Sequence, residues 1–349
     1  MVEPTMSDTP SHPKISVSIV TWNSCGYIDN CLKAVFAQER INCEIVVVDN
    51  GSNDGTLDYL EEQGNLITLI RIPFNSGFSH AHNTAIEATS NPYIVCLNPD
   101  VFLEHTYLSQ LVRFLESNPE YGGAIGKILQ CKNPGRDRWE NYQTNRVDTM
   151  GLEIERSRHF VARRFELVDD DGEIAPMEVF GVDGMAPVYR RTMLEETSIK
   201  AEFFDEQFFA YCEDQDLSWR ARLLGWRFAC VPTSIAYHVR TWRPSNISAR
   251  KTISPLQKRN ALRNHYWMVI KNDCISLALL HSPFILYRFI LVVGFSVLFE
   301  RNTLLAFIDI ICGLPTILRK RREIMNRKTI SRRQMLSWYR NFEGNALHI

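Results

Sequence analysis

The sequence lacks low-complexity tracts, internal repeats and cysteine pairs at the spacing of metal ligands. With 45% hydrophobic and 23% charged residues, it has the composition of a folded protein. Its nine cysteines are scattered, mostly within apolar runs, which predicts reduced core residues of a cytosolic protein. No signal-peptide pattern opens the chain, and residues 1–13, which are polar and contain proline, are expected to be loose.

Two nucleotide-binding motifs are also missing. The sequence contains neither the GxGxxG pattern of dinucleotide-binding folds nor the lysine-containing phosphate loop of nucleoside triphosphatases, which excludes a plain member of either class. At 349 residues and 40.4 kDa, the chain is long enough for one large catalytic domain with an appendage, or for two modest domains.

The net charge of −1 hides an asymmetry along the chain. Residues 251–349 contain 16 Lys and Arg against 5 Asp and Glu, which leaves 23 basic and 35 acidic residues for 1–250. An acidic body therefore carries a basic tail. Tails of this kind contact nucleic acid or an anionic membrane surface.

The first hundred residues alternate between strand and helix patterns. Apolar, β-branched strands are predicted at 15–20, 44–48, 66–70 and 93–97, and helices follow the first three. This alternation predicts an α/β fold with a mostly parallel sheet. In such sheets, ligands bind outside the carboxyl ends of the strands.

Polar residues stand at the predicted carboxyl edge of that sheet. Asp49 and Asp100 each follow a buried strand, and Thr21 ends a third. A single Asp after a strand is usually a turn residue. Two on the same edge, together with Thr21, predict a ligand site.

Three carboxylates, Glu213, Asp214 and Asp216, fall within four positions, after the aromatic run 208–211 and before a predicted helix. Acidic residues at a helix N-terminus are favoured as caps, which is the simpler interpretation. Three of them beside aromatic residues also indicate a site where like charges and burial tune the affinity of a carboxylate for a proton. Both interpretations stay open at this point.

Two further features allow more than one interpretation. The arginine-rich stretch 130–180 predicts exposed hairpins or a flexible flap, whose arginines either face solvent or form an anion-binding lid. His238, in a predicted short strand, is a satisfied structural histidine or a ligand.

Five motifs in order resemble the inverting nucleotide-sugar glycosyltransferases of family 2, particularly a bacterial rhamnosyltransferase-like branch. The resemblance covers about residues 15–245. It implies an α/β GT-A fold, a Rossmann-like, mostly parallel sheet flanked by helices, over 14–250, followed by a helical membrane-associating region at 251–349. The matching segments are 17–23, 47–56, 75–78 with Asn83, 97–100, and 213–217 with His238 downstream.

The resemblance also implies roles for individual residues. Asp214 matches the catalytic base, with Glu213 and Asp216 as its catalytic neighbours. Asp100 and His238 match ligands of Mn²⁺ or Mg²⁺, although Asn98 replaces the first acid of the metal-binding DXD motif and weakens that expectation. The residues expected to bind the nucleotide-sugar are Thr21, Asp49, Asn75, Gly77, Asn83 and Asn98.

The basic tail contains two apolar runs, 283–299 and 304–318, the first of which only reaches the lower limit for a membrane span. We expect helices in the membrane interface or a re-entrant hairpin, anchored by arginines. A true span and a soluble dimerisation domain are the alternatives, whereas nucleic-acid binding is disfavoured because the basic residues interleave with aliphatic runs. Removal of the chain after Ser254 is expected to release the protein from membranes and to spare donor hydrolysis.

The resemblance implies a metal-dependent glycosyltransferase of bacterial cell-surface polysaccharide synthesis, acting at the cytoplasmic face of the inner membrane. The expected donor is dTDP-L-rhamnose, and the expected acceptor is a glycan or a polyprenyl-diphosphate-linked sugar. A UDP-hexose or UDP-galactofuranose transferase is the alternative, and a homodimer is left open. An inactive glycan-binding or scaffolding relative is the alternative from another class, and Asn98 is the feature that favours it.

Overall fold

The computed structural model of the protein describes residues 12–135, 137–170, 172–240, 250–251 and 253–340. Its strands in chain order are β1 Lys14–Thr21, β2 Asn42–Asn50, β3 Thr68–Ile72, β4 Tyr93–Leu97, β5 Val101–Leu103, β6 Tyr121–Cys131, β7 Gln143–Thr149, β8 Leu152–Glu155, β9 Phe160–Ala162, β10 Met177–Val179, β11 Val188–Arg190, β12 Arg227–His238 and β13 Tyr339–Arg340. The helices are α1 Ile28–Phe36, α2 Thr56–Glu62, α3 Phe78–Glu87, α4 Tyr107–Ser117, α5 Arg191–Thr197, α6 Glu213–Leu223, α7 Pro255–Asn272, α8 Ile275–Leu280, α9 Ser282–Phe299, α10 Leu305–Arg327 and α11 Arg332–Leu336.

The predicted parallel half-sheet is confirmed. Strands β3, β2, β1 and β4 lie side by side in that order and are all parallel, with helices α1 to α3 in the connections. Residues Ile45 to Val48 are at most 7% exposed, which explains why β2 is apolar without alternation. The third strand starts two residues later than predicted, because Gly64–Leu66 forms a short 3-10 turn.

The other half of the sheet is mixed. Beyond β4, the order continues β11, β6, β12 and β10, in which β6 and β12 are parallel and β11 and β10 run antiparallel to their neighbours. The two short strands predicted around 226–238 are one strand, β12, with a register shift between Val231 and Ile235. Strand β5 pairs with the end of β12, His238 opposite Val101, and so brings His238 beside Asp100.

The arginine-rich stretch 130–180 forms hairpins, which was one of the two predictions for it. The arginines described in this stretch do not form a free anion-binding surface. Strands β8 and β9 make a small sheet with β13. Arg158 is fully buried and paired with Asp273 at 2.8 Å, and Arg163 pairs with Glu153 and Glu173, both at 3.0 Å. Arg136 lies outside the described residues.

The C-terminal helices share a hydrophobic core with the body. The indole of Trp219 and the ring of Phe208, both fully buried, pack in one cluster with Trp267, Met268 and Ile317 of α7 and α10. The boundary predicted at residue 250 therefore does not separate two cores. Removal of the chain after Ser254 would expose this cluster. This argues against the expectation that the truncated protein still hydrolyses the donor.

Several basic residues of the tail are paired with acidic residues. Lys258 pairs with Glu300 at 3.0 Å, Arg259 pairs with Asp309 at 2.5 Å, and Lys320 pairs with Asp205 at 2.6 Å. The tail is consequently less of a basic patch than its composition suggests.

Two tail segments are long and apolar enough to cross a membrane, Ser282–Phe299 with a mean hydropathy of 1.9 and Arg301–Arg327 with 1.4. Only 17% of each apolar window is buried in the protein. The exposed apolar side chains include Leu286, Ile290 and Leu298, at 58%, 59% and 71% exposure. These helices thus present an apolar surface that the other described residues do not cover.

If body and tail share one core, a tail substitution must destabilise the whole protein. Met268→Ala, at a fully buried position, is expected to lower the free energy of unfolding by about 2–5 kcal/mol in a single transition, measured by urea denaturation followed by circular dichroism and tryptophan fluorescence. The control Leu279→Ala, at 70% exposure, should change it by less than about 0.5 kcal/mol. A separate transition for the tail, with the body unaffected, would contradict the shared core.

Candidate active site

Thr21 and Asp49 meet at the carboxyl edge of β1 and β2. They are partners in the sheet register, and the Thr21 hydroxyl donates to Asp49 Oδ1 at 3.0 Å. The backbone N–H of Ser52 donates to Asp49 Oδ2 at 3.1 Å. Since Asp49 is 2% exposed, its carboxylate is held in one orientation at this edge, as a residue that recognises a specific ligand group must be.

Asn50, which the sequence interpretation did not single out although it directly follows Asp49, holds the next loop. Its amide donates to Asn75 Oδ1 at 3.2 Å and to the Gly77 carbonyl at 3.3 Å. Gly77 has φ +91°, and a Cβ there would lie 2.5 Å from the Phe209 carbonyl oxygen. The turn therefore requires glycine. It places Asn75 and Gly77 at the edge that carries Asp49, against the segment leading into α6.

Asn83 bonds to the chain before α6, whereas the resemblance implied that it binds the nucleotide-sugar. It is 2% exposed on α3, its Nδ2 donates to the Phe204 carbonyl at 2.8 Å, and its Oδ1 accepts from the Phe204 N–H at 2.9 Å. Both amide atoms are thus engaged by the chain before α6. Asn83 positions that segment, and its amide is not turned toward a ligand.

Asp100, His238 and Asp148 form a second polar cluster. Asp100 Oδ2 lies 3.6 Å from His238 Nε2, and Asp148 Oδ2 lies 2.7 Å from His238 Nδ1. Asp148 is fully buried near the end of β7 and also contacts the Arg240 guanidinium at 2.7 Å. The sequence analysis missed Asp148, because a single acid in an arginine-rich hairpin gives no signal of its own.

The charged groups in this cluster stabilise one another. Burial would lower the pKa of His238, but the carboxylates of Asp100 and Asp148 outweigh burial and raise the pKa to about 9. Burial would likewise raise the pKa of Asp148, yet His238 and Arg240 bring it below its ordinary value. The cluster therefore alternates negative and positive groups at neutral pH.

Asp100 and His238 fit a divalent cation provided that the cation displaces the proton from His238, because only a neutral imidazole binds a metal. Asp100 Oδ1 is buried without a hydrogen-bond partner, and Asp148 holds the far nitrogen of His238, as carboxylates do for metal-bound histidines. In the part of the chain that the structure describes, no three or more His, Cys, Asp or Glu side chains are grouped to hold a metal. Further ligand positions would thus belong to oxygens of a bound substrate and to water. Asn98 adjoins Asp100, with its N–H bonded to the Met185 carbonyl at 2.9 Å.

Glu213 and Asp214 begin α6 in contrasting environments. Asp214 accepts the Gly184 N–H at 2.9 Å and the Gln215 N–H at 2.7 Å, whereas Glu213 is 8% exposed and its Oε2 is buried without a partner. Burial, aided by the Asp214 charge, raises the pKa of Glu213 to about 8. Burial also raises the pKa of Asp214, against the two N–H donors. Burial thus favours the protonated form of Glu213, whereas the two N–H donors favour the charged form of Asp214.

Asp216, expected as a catalytic neighbour of Asp214, is a structural residue. It is fully buried and accepts from Arg220 Nε at 2.9 Å, Lys271 Nζ at 2.9 Å and Asn272 Nδ2 at 2.7 Å. Two residues along a helix are about 200° apart around its axis, so Asp214 and Asp216 face opposite directions. The prediction of a catalytic role for Asp216 is corrected accordingly.

A short segment joins the acidic helix to the Asp100 edge. Gly184 bonds to Asp214, and the adjacent Met185 bonds to Asn98. One residue earlier, Asp183 accepts from Thr149 Oγ1 at 2.5 Å. Burial and the nearby charge of Asp214 raise the pKa of Asp183 to about 7. The catalytic and metal-ligand candidates therefore border one region at the carboxyl edge of the sheet.

Comparisons with known proteins bear on the family and the fold of the chain. Residues 16–182 match the family described as Glycosyl transferase family 2. The chain is 31% identical over 121 residues to an uncharacterized glycosyltransferase of Haemophilus influenzae, covering 34% of this chain and 37% of that protein. It is 20% identical over 273 residues to poly-β-1,6-N-acetyl-D-glucosamine synthase of Staphylococcus epidermidis, covering 76% of this chain and 60% of that protein.

Among solved structures, GalNAc-T7 with UDP, GalNAc and Mn²⁺ superposes with a TM-score of 0.57 at 15% identity, covering 74% of this chain and 49% of that one. The fold is accordingly of the GT-A type, and residues 16–182 are similar to the glycosyl transferase family 2 domain. The chain spans 37% and 60% of the length of the two curated relatives.

The buried proton of Glu213 predicts a pH-dependent stability. The folded protein keeps this proton up to about pH 8, whereas the unfolded chain loses it near the ordinary pKa of 4.5, so the contribution of Glu213 to the free energy of unfolding falls as pH rises through that range. Glu213→Gln cannot ionise. Its free energy of unfolding, relative to wild type, should therefore rise between about pH 5 and about pH 8.5 in urea denaturation. The exposed control Glu116→Gln should show no such rise, and a flat difference for Glu213→Gln would contradict the assignment.

Proposed function

We propose that the protein is a metal-dependent inverting glycosyltransferase that transfers a sugar from a nucleotide-sugar to an acceptor hydroxyl in bacterial cell-surface polysaccharide synthesis. The observation that carries the proposal is the position of Asp214, whose carboxylate accepts the Gly184 N–H in the region that also holds Asp100 and His238. The family match and the name of the Staphylococcus epidermidis relative support the substrate class.

In this proposal Asp214 is the general base. Inversion at the anomeric carbon requires the acceptor hydroxyl to attack from the face opposite the departing nucleotide, and a carboxylate must take its proton. Burial raises the pKa of Asp214, which makes it a stronger base, and the N–H groups of Gly184 and Gln215 favour its charged form. In its protonated form, Glu213 adds no second charge that would compete for the proton.

The nucleotide-sugar donor would bind at the carboxyl edge of β1 and β2. Asp49, with both oxygens fixed, would accept hydrogen bonds from the base or ribose, and Thr21 would lie near the base. Asn75 and Gly77 border the same edge. A divalent cation held by Asp100 and His238 would neutralise the charge that develops on the departing diphosphate. Asn98, as a neutral amide, would orient donor oxygens and contribute less to metal affinity than a carboxylate.

The identity of the donor has two candidates. The resemblance to the rhamnosyltransferase-like branch favours dTDP-L-rhamnose. A UDP-hexose or UDP-galactofuranose is the second candidate, favoured by the UDP bound to GalNAc-T7. Asn98 remains the feature that favours an inactive glycan-binding relative, and the raised pKa values of Glu213 and Asp214 favour an enzyme.

The base assignment predicts a defect confined to turnover. Asp214→Asn keeps the size of the side chain and removes its basicity, so turnover should fall by about 10²- to 10⁴-fold while donor affinity stays near wild type. Release of nucleoside diphosphate from dTDP-, UDP- and GDP-sugars with Mn²⁺ measures the first quantity, and ligand-induced thermal shift measures the second. Asp216→Asn serves as the contrast, because it should lower stability. Near-normal turnover in Asp214→Asn would remove the residue from this role.

We further propose that α9 and α10 lie in the cytoplasmic interface of a membrane and present the active site to a lipid-linked acceptor such as a polyprenyl-diphosphate sugar. Apolar residues surround α9 on all sides, yet only Val292 and Ser296 are buried in it. A helix of this kind is stable in a protein core or a bilayer, and α9 is not in a core. Its 18 residues span about 27 Å. Arg288, its one basic residue, bonds inward to His159 at 2.9 Å.

Membrane attachment through α9 predicts loss of binding when its exposed face is made charged. Leu286→Glu with Ile290→Glu, one turn apart, removes two large apolar contacts, each worth about 1.5–3 kcal/mol, so partitioning onto vesicles should fall at least about tenfold. Co-sedimentation with phosphatidylcholine–phosphatidylglycerol vesicles measures it. The matched control is Leu66→Glu with Ile174→Glu, equally exposed on the body at 64% and 67%. Equal binding of both variants, or no binding by the wild type, would refute the attachment.

A further inference from the structure

We propose that Asn264, on the C-terminal helix α7, is a positioning residue that holds the loop carrying the general base in its working shape. The inference rests on the proposed function of Asp214. It assigns to the C-terminal region a direct part in the active site, besides contact with a membrane.

The loop in question, residues 208–212, is held in an unusual backbone conformation. Phe209, Tyr211 and Cys212 have φ values of +63°, +77° and +69°, in the left-handed region that side-chain-bearing residues rarely adopt. Cys212 is also the residue from which α6 starts, and Glu213 and Asp214 follow it. Such a conformation persists only where the surroundings determine it, and these cluster where strain serves a function.

Asn264 supplies the contacts that determine it. The side chain is fully buried, and its Nδ2 lies 2.8 Å from the Phe208 carbonyl, 2.8 Å from that of Ala210 and 2.9 Å from that of Tyr211. Three carbonyl oxygens of the loop thus turn toward one amide. The Phe208 carbonyl also accepts the Ala210 N–H at 2.7 Å, so removal of the amide would take this donor chiefly from the Ala210 and Tyr211 carbonyls. A buried carbonyl that loses its donor is costly, and the loop would be released from this arrangement.

Neighbouring groups fix the amide itself. Arg263 Nη2 donates to Asn264 Oδ1 at 2.9 Å, so Nδ2 points at the loop. Two turns along α7, Lys271 pairs with Asp216 of α6 at 2.9 Å, which fixes the helix on which Asn264 stands against the helix that carries the base. On the opposite side of the loop, the Ser79 N–H donates to the Phe209 carbonyl at 3.3 Å. The loop is therefore held between α7 and the donor side of the cleft.

The chemical consequence concerns geometry at Asp214. A general base must lie within hydrogen-bond reach of the acceptor hydroxyl, and an error of about 1 Å can cost about 100-fold in rate. Asn264 does not border the Asp49 edge, so its loss should leave donor binding largely intact. A purely structural residue would instead lower activity in proportion to the loss of folded protein.

The test uses the full-length protein with Asn264→Leu and Asn264→Asp, both close to asparagine in size and both without the amide donor. The control is Asn260→Leu, one turn earlier on α7 and 8% exposed. For Asn264→Leu and Asn264→Asp, we expect kcat for nucleoside diphosphate release from the dTDP-, UDP- and GDP-sugars with Mn²⁺ to fall by about 10- to 100-fold, with donor KM within about threefold of wild type. The control should retain wild-type kcat. Unchanged kcat in the Asn264 variants, or equal losses in the control, would overturn the proposal.

A second measurement does not depend on the proposed function. Hydrogen exchange followed by mass spectrometry should show faster exchange of the amides in 208–216 for Asn264→Leu than for Asn260→Leu, with α4 unchanged in both. If the loop exchanges at the wild-type rate in Asn264→Leu, the positioning role is wrong. If the wild type releases no nucleotide from any sugar-nucleotide while the loop exchange changes as expected, the proposed reaction fails and the positioning of the loop stands.

Discussion

The buried carboxylate of Asp216 is the interaction on which the rest of the structure depends. It accepts one bond from its own helix, through Arg220, and two from α7, through Lys271 and Asn272. Lys271 also bonds to Asp205, which Lys320 of α10 reaches as well. Loss of one partner from such a buried group leaves an uncompensated charge and typically costs about 3–5 kcal/mol. The first turn of α6 is therefore fixed in place by helices from the far end of the chain.

That fixed first turn holds two carboxylates side by side in different environments. Glu213 is buried and its Oε2 has no hydrogen-bond partner, whereas Asp214 accepts the N–H groups of Gly184 and Gln215. Across the same region, Asp100 and His238 form a site of the opposite kind, in which positive and negative groups neutralise each other. The environment of Glu213 and Asp214 suits removal of a proton, and that of Asp100 and His238 suits compensation of charge. Glycosyl transfer requires both.

The sequence predicted the parts of this arrangement that follow from local pattern. Strand periodicity placed Asp49 and Asp100 at one edge, because carboxyl ends of parallel strands coincide. Asp148 and Asp183 were missed, since each becomes part of the site only through pairing with residues far along the chain. Asp216 was misassigned because spacing in sequence does not reveal which side of a helix faces the interior. The boundary at 250 followed a shift in composition, whereas the contacts of Trp267 and Met268 with Trp219 and Phe208 are long-range and leave no local signal.

The last described strand has a consequence for how the molecule sits. Tyr339 and Arg340 pair with β8, and α7 is bonded to α6. The chain is therefore attached to the body both before and after the two apolar helices, α9 and α10. Neither end can swing freely. A membrane that bound these two helices would lie at a fixed distance and angle from the active site. The distance that an acceptor has to span would be set by the position of that membrane. If the acceptor is carried on a lipid, as proposed, the length between that lipid and the reactive hydroxyl would then decide which acceptors reach the active site.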